Sequence, residues 1–309
     1  MIPLVTIEGP TASGKSRLAL ELAEALETEI ISADSRQVYR WMDIGTAKPT
    51  KEEQERISHH LIDIVEPSES YNAGRFCAQA GEIVEALWKK GKLPLICGGT
   101  GLYIDSLLQG LFPEIEVPAD LRDKLRQRLE SEGLETLYTE LQRVDPDFAA
   151  GVSVNDKQRI LRGLEVFQAS RTPISQHWER QSRSQTYTAF RILIDPPREK
   201  LYERINIRVV QMLQDGLLDE IRALFQRGFQ PDSPGLNSVG YKEYFPHLLY
   251  GKPLQESMEL AAQHTRNYAK RQCTWYRKHQ FHLTLTSSDC IISDVTSKIQ
   301  GWQKTIQTR

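Results

Sequence analysis

Gly9, Pro10, Thr11, Ala12, Ser13, Gly14, Lys15 and Ser16 spell G-x-x-x-x-G-K-S, the spacing of a loop whose backbone N–H groups cradle phosphates. Chemistry at this loop needs a strand before it and a helix after it, and both are legible. Leu4, Val5, Thr6 and Ile7 form a short buried-strand run, and Leu18, Leu22, Ala25 and Leu26 recur at helical spacing. Together they aim N–H groups and a helix N-terminus at one point. Lys15 adds a mobile positive charge, and the Ser16 hydroxyl suits Mg²⁺. An ordinary glycine turn would have no need of lysine and serine at these offsets.

The loop alone does not name a reaction. Phosphate-handling sites of this kind also need an acid at the end of a neighbouring strand. Two apolar runs supply one: residues 29–33 lead to Asp34, and residues 61–65 contain Asp63. Either acid could hold a magnesium ion through water. A helix is expected over 73–90, with Asn72 as N-cap and Gly91 as stop. Residues 93–97 form another buried run, ending in Gly98, Gly99, Thr100 and Gly101. This alternation predicts an α/β fold with a parallel sheet covered by helices.

From 118 to 183 the pattern changes. Residues 121–130, 134–144 and 156–169 have the periodicity of amphipathic helices, with no strand between them. Residues 190–195 return to strand. The organisation expected is a core of 1–115 and 190–309 with a helical insertion over 116–189. Helices over 202–226 and 254–279 and a last strand at 281–285 complete the reading; residues 286–309 carry no usable signal. No internal repeat or low-complexity tract is visible.

Blocks along the chain narrow the chemistry. They are Asp34 to Tyr39; Ile44 to Pro49; His59 to Asp63; Gly91 to Pro94, leading into Gly98 to Tyr103; Asp156 to Glu165; Ser238 to Glu243; and Tyr268 to Arg277. In this order they closely resemble the tRNA dimethylallyltransferase family (tRNA isopentenyltransferases, the IPP transferases), over nearly the whole chain. With no zinc-finger extension visible, the shorter bacterial-type members are the nearer likeness. The resemblance implies a P-loop NTPase-like core whose loop grips a diphosphate ester rather than ATP. It implies transfer of a dimethylallyl group from dimethylallyl diphosphate to the exocyclic amine (N6) of the adenosine 3′ of the tRNA anticodon, with Mg²⁺ required and pyrophosphate released.

Residue by residue, the resemblance makes Asp34 the general base, with Thr100 and Arg208 as further catalytic residues, Arg208 reaching the diphosphate. Residues 9–16 bind the diphosphate, with Ser16 as metal ligand where threonine is commoner. Asp34, Ser35, Arg36, Gln37 and Thr100 would meet the target nucleotide. Gln158, Arg159, Ile160, Leu161 and Arg162 would meet the tRNA, as would Asn237, Ser238, Val239, Gly240, Tyr241 and Lys242, and Arg122. A basic residue is commoner where Asn237 stands. Arg159 and Arg162, three apart, share a helix face suited to phosphates. Arg266, Lys270, Arg271, Arg277 and Lys278 alternate with Tyr268, Trp275 and Tyr276, a composition shared by base-stacking surfaces and by ordinary solvated helices.

Bulk properties agree with this reading and exclude others. The chain has 309 residues, 39% of them hydrophobic, and a net charge of −2, so any nucleic-acid partner must meet a local basic surface. No apolar run is long enough to span a membrane, and the first strand begins at once, with no room for a signal peptide. Cys77, Cys97, Cys273 and Cys290 form no metal-binding or disulfide pattern, which fits a cytoplasmic protein. A monomer is the default expectation. Rival readings are a small-molecule kinase, an adenylate isopentenyltransferase acting on free nucleotides, and a non-catalytic RNA-binding protein with a vestigial loop. The intact Lys15, Ser16 and Asp34 oppose the last.

Overall fold

In the computed structural model, described over residues 1–110, 115–180, 186–287 and 291–307, the chain divides into two units. One comprises Met1–Leu108 with Gln185–Arg309, the other Gln109–Ser184.

The first unit is organised by β1 (Ile2–Glu8), whose residues from Pro3 onward are all buried. It is followed by α1 (Lys15–Ala25), β2 (Ile30–Ser32), α2 (Lys51–Arg56), β3 (His59–His60), α3 (Ala73–Lys89), β4 (Leu95–Gly98) and α4 (Gly101–Gln109). The second unit contains α5 (Ala119–Glu132), α6 (Leu134–Val144), α7 (Pro146–Ala150), α8 (Lys157–Ser170) and α9 (Ile174–Arg180). The chain then returns to the first unit with β5 (Tyr187–Ile194), α10 (Arg198–Gln214), α11 (Leu217–Gln226), α12 (Phe245–Tyr250), α13 (Leu254–Tyr276), β6 (Leu283–Leu285) and α14 (Ile292–Gln307).

The strands form one sheet in the order β3-β2-β4-β1-β5-β6, and every pairing is parallel. Strand alternation sends neighbouring side chains to opposite faces. Val5 and Ile7 therefore join a core with Leu18, Leu22, Val295 and Ile299. Leu4, with Ile31 and Ile96, joins Phe76, Val84, Ile104 and Leu107 on the other face. Coverage of both faces by helices explains why these strands read as continuous apolar runs.

Asn72 caps α3 by accepting from Arg75 N at 2.8 Å, and Gly91 beyond its end takes φ +73°. Four expectations change. The apolar run at 61–65 is not a strand: Leu61 and Asp63 have φ of +62° and +55°, and only Val65 pairs, in an isolated bridge to Tyr39. Its hydrophobicity reports burial in a turn, not extension. The helix expected over 202–226 is two helices, divided at Gly216 with φ +99°. Tyr187, Thr188 and Ala189, expected in the insertion, pair with Ile2, Pro3 and Leu4. Finally, α14 occupies the segment without signal, burying Val295 and Ile299 among residues of α1; each contributes about 1.5–3 kcal/mol. Cys290 and Arg183 lie outside the described residues, as do 181–185 of the expected insertion.

The second unit has its own core of Leu125, Leu137, Leu141, Phe148, Ile160 and Leu164. Asp145, 1% exposed, accepts from Phe148 N, Ser175 N and Ser175 Oγ at 3.1, 3.1 and 2.6 Å. It thereby ties α7 to α9, two short helices that the sequence periodicity does not reveal.

Candidate active site

The glycine loop joins β1 to α1. Gly9 has no alternative at its position: a Cβ there would stand 2.6 Å from Ile194 O and 2.9 Å from Ser13 Oγ. Gly14 caps α1 with φ +96°, a conformation that side-chain-bearing residues rarely adopt. The Ser13 hydroxyl is buried without a hydrogen-bond partner among the described residues. Such a group is costly unless something fills the loop. Lys15 Nζ lies 3.3 Å from Pro10 O.

Burial, foremost, pushes the Lys15 ammonium pKa down; nearby Arg208 lowers it further, while Cys97 and Asp34 oppose the shift. Burial also lowers the pKa of Arg208. No carboxylate among the described residues pairs with Arg208. Two partly buried cations, an orphan hydroxyl and a helix N-terminus are thus gathered at the loop, with the Asp34 carboxylate acting on Lys15 and none paired to Arg208. The arrangement fits an anion with the charge of a diphosphate.

Asp34 follows β2 beside this cradle. Its Oδ1 accepts from Arg36 N at 2.8 Å and Gln37 N at 3.4 Å, an Asx-type turn. Its Oδ2 has no hydrogen-bond partner among the described residues. The end of β4 stands close by: Thr100 N donates to Ala33 O at 3.1 Å, and Ser35 N donates to Thr100 Oγ1 at 3.0 Å. A Cβ on Gly98 would come within 2.0 Å of Ala33 O. Tyr268, on α13, borders Asp34, Arg36 and the Thr100 side chain; burial pushes its phenol up to about 12. Burial likewise raises the Cys97 thiol to about 12, so it stays neutral beside Lys15.

In front of the loop lies a cavity of about 920 Å³, lined by Ala12, Gly14 and Arg17, by residues of the 43–51 segment, and by Arg204, Ile207, Arg208 and Met212 of α10. Glu220 shapes one wall. Its carboxylate accepts from Asp43 N and Ile44 N at 2.8 Å, from Gly45 N at 3.2 Å and from Tyr241 OH at 2.6 Å. Lys48 Nζ bonds Asp43 and Asp63, each at 2.6 Å. Asp63 is therefore committed to a lysine, whereas Asp34 keeps a free oxygen beside Lys15.

Comparison with known proteins decides the family. The IPP transferase family model matches residues 37–279, and an isopentenyl transferase model matches residues 2–70. The chain belongs to the IPP transferase family. It is 46% identical over 275 residues to tRNA dimethylallyltransferase 1 of Trichlorobacter lovleyi, covering 89% of this chain and 90% of that one. It is 43% identical over 276 residues to the tRNA dimethylallyltransferase of Geobacter sulfurreducens, covering 89% of each. Among solved structures, the tRNA isopentenylpyrophosphate transferase of Bacillus halodurans superposes with a TM-score of 0.72 at 34% identity, covering 99% of this chain and 100% of that one. A eukaryotic dimethylallyltransferase described as acting on tRNA gives 0.78 at 29% identity, over 93% and 74% of the two chains. The parallel-sheet P-loop-like core with a helical unit is thus an IPP transferase fold.

In this IPP transferase, the residues expected to meet RNA divide into exposed and interior ones. Arg36 donates to Pro234 O at 3.1 Å, which ties the Asp34 turn to the segment before Asn237. Asn237 and Lys242 are exposed and bond each other at 3.2 Å. Ser238 and Tyr241, at 1% and 0% exposure, are core: Ser238 Oγ donates to Gly235 O and Tyr241 to Glu220. Their side chains hold the block in shape and cannot touch a macromolecule. Val239 and Gly240 are half-buried. The Gln37 amide is used internally, bonding Ser32 Oγ at 3.0 Å and Ala47 O at 3.0 Å.

On α13 the basic-aromatic stretch divides between an internal brace and an exposed face that includes much of the Trp275 ring. Tyr276 is 2% exposed, and Trp275 Nε1 donates to Asp105 Oδ2 at 2.9 Å. Asp105 also meets His279 at 2.8 Å and Arg191 at 3.1 Å, and Arg191 closes onto Glu8 at 2.8 Å. Lys270, Arg271, Arg277 and Lys278 remain exposed. Gln272, Glu220 and this carboxylate network are missing from the sequence-based site. The sequence signal for Gln272 is its place one helical turn after Tyr268, within the 268–277 block.

Within the second unit, Arg122 on α5 and Gln158 and Arg159 on α8 are exposed. Ile160 is fully buried and Leu161 half-buried, so these two anchor the helix. Arg159 Nη1 donates to Gly151 O at 2.8 Å and stacks over Phe148 at 5.2 Å. Arg162 makes only a loose pair with Glu165 at 3.6 Å.

Proposed function

We propose that this protein transfers the dimethylallyl group of dimethylallyl diphosphate to N6 of the adenosine immediately 3′ of a tRNA anticodon. The C1–O bond of the donor breaks, a C1–N6 bond forms, the amine's proton passes to Asp34, and pyrophosphate leaves. The single observation carrying this reading is the anion cradle of Lys15 and Arg208 set against the open Oδ2 of Asp34. Lys15, Arg208 and the loop N–H groups stabilise charge growing on the leaving group. Asp34 orients the amine and takes its proton, and the Thr100 hydroxyl keeps the Asp34 turn in place.

Ser16, exposed on the first turn of α1, is the side chain that would hold Mg²⁺, whose charge when bound adds to the neutralisation of the diphosphate. Among the described residues no group of three His, Cys, Asp or Glu could hold a metal. Phosphate oxygens and water would complete the shell, as suits this ion. The reading also takes the protein as a cytoplasmic monomer. Cys77, Cys97 and Cys273 are free thiols, in keeping with a reducing compartment, and no described helix is long and apolar enough to cross a membrane.

The test is incubation of purified protein with isotopically labelled dimethylallyl diphosphate and Mg²⁺, with either tRNA or free AMP, ADP and ATP as acceptor. Mass spectrometry of the digested nucleosides should show prenylated adenosine from tRNA alone. Label on free nucleotides instead would move the protein to the adenylate isopentenyltransferases, and phosphate transfer from ATP would make it a kinase.

The tRNA contact assigned to α8 has its own signature. Arg162→Ala should weaken tRNA binding about three- to tenfold, with a smaller salt slope and an unchanged melting temperature. Arg159→Ala should lose affinity and also stability, because Arg159 packs on Phe148. Salt-independent weakening in Arg162→Ala would remove this helix from the RNA interface.

A further inference from the structure

We infer that Gln272 is a positioning residue that sets the spacing between the two halves of the reaction, an inference that rests on the function proposed above. Its side chain is 7% exposed, and both ends of its amide are engaged. Oε1 accepts from Thr11 N at 2.8 Å; Nε2 donates to Gly99 O at 2.8 Å. The first bond holds the glycine loop that takes the leaving group. The second holds the turn carrying Thr100, which is stitched through Ser35 N to the loop of Asp34. One neutral amide therefore spans from the cradle to the general base.

Three features make this bridge rigid. Ala269, one turn earlier on α13, is fully buried against Ala12, Leu201 and Ile205, so the helix is anchored on the glycine loop itself. Trp275, one turn later, is fixed by Asp105. Gly99 leaves room only for the amide: a Cβ there would lie 2.5 Å from Gln272 Nε2. The bridge also withdraws Thr11 N from the set of amides available to phosphate, which directs the anion toward the amides further along the loop. Both donor and acceptor functions are needed, so a carboxylate cannot substitute: it would oppose Gly99 O and place a negative charge near Lys15. Misplacing reacting groups by an ångström costs on the order of a hundredfold in rate.

The experiment is steady-state kinetics of the whole protein with dimethylallyl diphosphate, tRNA and Mg²⁺, comparing wild type with Gln272→Ala and the near-isosteric Gln272→Glu. For Gln272→Ala, kcat should fall roughly 30- to 100-fold while KM for each substrate stays within about threefold. In Gln272→Glu a protonated carboxyl can again donate to Gly99 O. Its rate relative to wild type should therefore climb about tenfold as pH falls from about 8 to 6, burial having raised the carboxyl pKa. A kcat within threefold of wild type in Gln272→Ala overturns the inference. So does a kcat loss matched by parallel losses of both affinities and of melting temperature, which would make the residue a brace and nothing more. Should Gln272→Ala fail to fold, the pH response of Gln272→Glu decides, and a flat ratio counts against the bridge. Wild-type protein that transfers no prenyl group would instead remove the proposed function, and this inference with it.

Discussion

Asp34→Asn should lower kcat by about 10³-fold while tRNA affinity changes less than about threefold; loss of a general base typically costs 10²–10⁴. Asparagine is the informative replacement. Asp34 Oδ1 holds Arg36 N and Gln37 N, and asparagine keeps an oxygen for both. Asp34→Ala would release that turn, disturb Arg36 and its bond to Pro234, and mix loss of the base with loss of the contact surface. The measurement is single-turnover transfer at saturating tRNA beside a direct binding titration. If asparagine costs affinity and leaves the chemical step intact, Asp34 is an RNA contact and not the base.

Lys15→Ala should reduce kcat/KM for dimethylallyl diphosphate by about 10²–10³-fold, the usual scale for removing one preorganised stabiliser of developing charge, with KM for tRNA unaffected. The alkaline pH profile carries a second signature. Burial lowers the Lys15 pKa from its ordinary 10.5. The ammonium is present below that lowered value and lost as pH rises through it, so wild-type kcat/KM for the donor should decline at a pH below the ordinary lysine range. At saturating donor the decline should move upward, because bound phosphate favours the charged form. Lys15→Arg should lose the alkaline step. An unchanged profile in Lys15→Arg would assign the decline to another group.

Much of this architecture was legible because the signals are local. A β-branched run ending in a glycine loop fixes β1 and α1, Asn72 fixes the start of α3, and Gly91 stands just past its end. What escaped is tertiary. The run at 61–65 has a strand's composition, but its left-handed residues sit in tertiary contacts that no local pattern encodes, Leu61 in the core and Asp63 against Gln37 O and Lys48. Helix α14 had no motif, and its assignment depends on two apolar residues finding α1. At the candidate site, the loop, Asp34, Thr100 and Arg208 are the residues read from the sequence, and the fold places Thr100 against the Asp34 turn and Arg208 near Lys15. It did not distinguish residues facing solvent from those inside: Ser238, Tyr241, Ile160 and Tyr276 stand in contact blocks yet are buried. A block pattern records which residues matter together. Only the fold separates those that touch a partner from those that hold the toucher still. Gln272 escaped for the same reason, its two partners lying at positions 11 and 99.

The pairing of β1 with β5 constrains how the chain matures as it leaves the ribosome. β1 is the first strand made, but its second neighbour begins at Tyr187, after the whole inserted unit has been synthesised. A half-sheet of β3, β2, β4 and β1 can assemble early with one side of β1 open, the kind of unpaired edge that recruits unwanted strands. The inserted unit, with its own core, can settle in the interval. Translational pacing and chaperone cover across this window therefore bear on the yield of this protein.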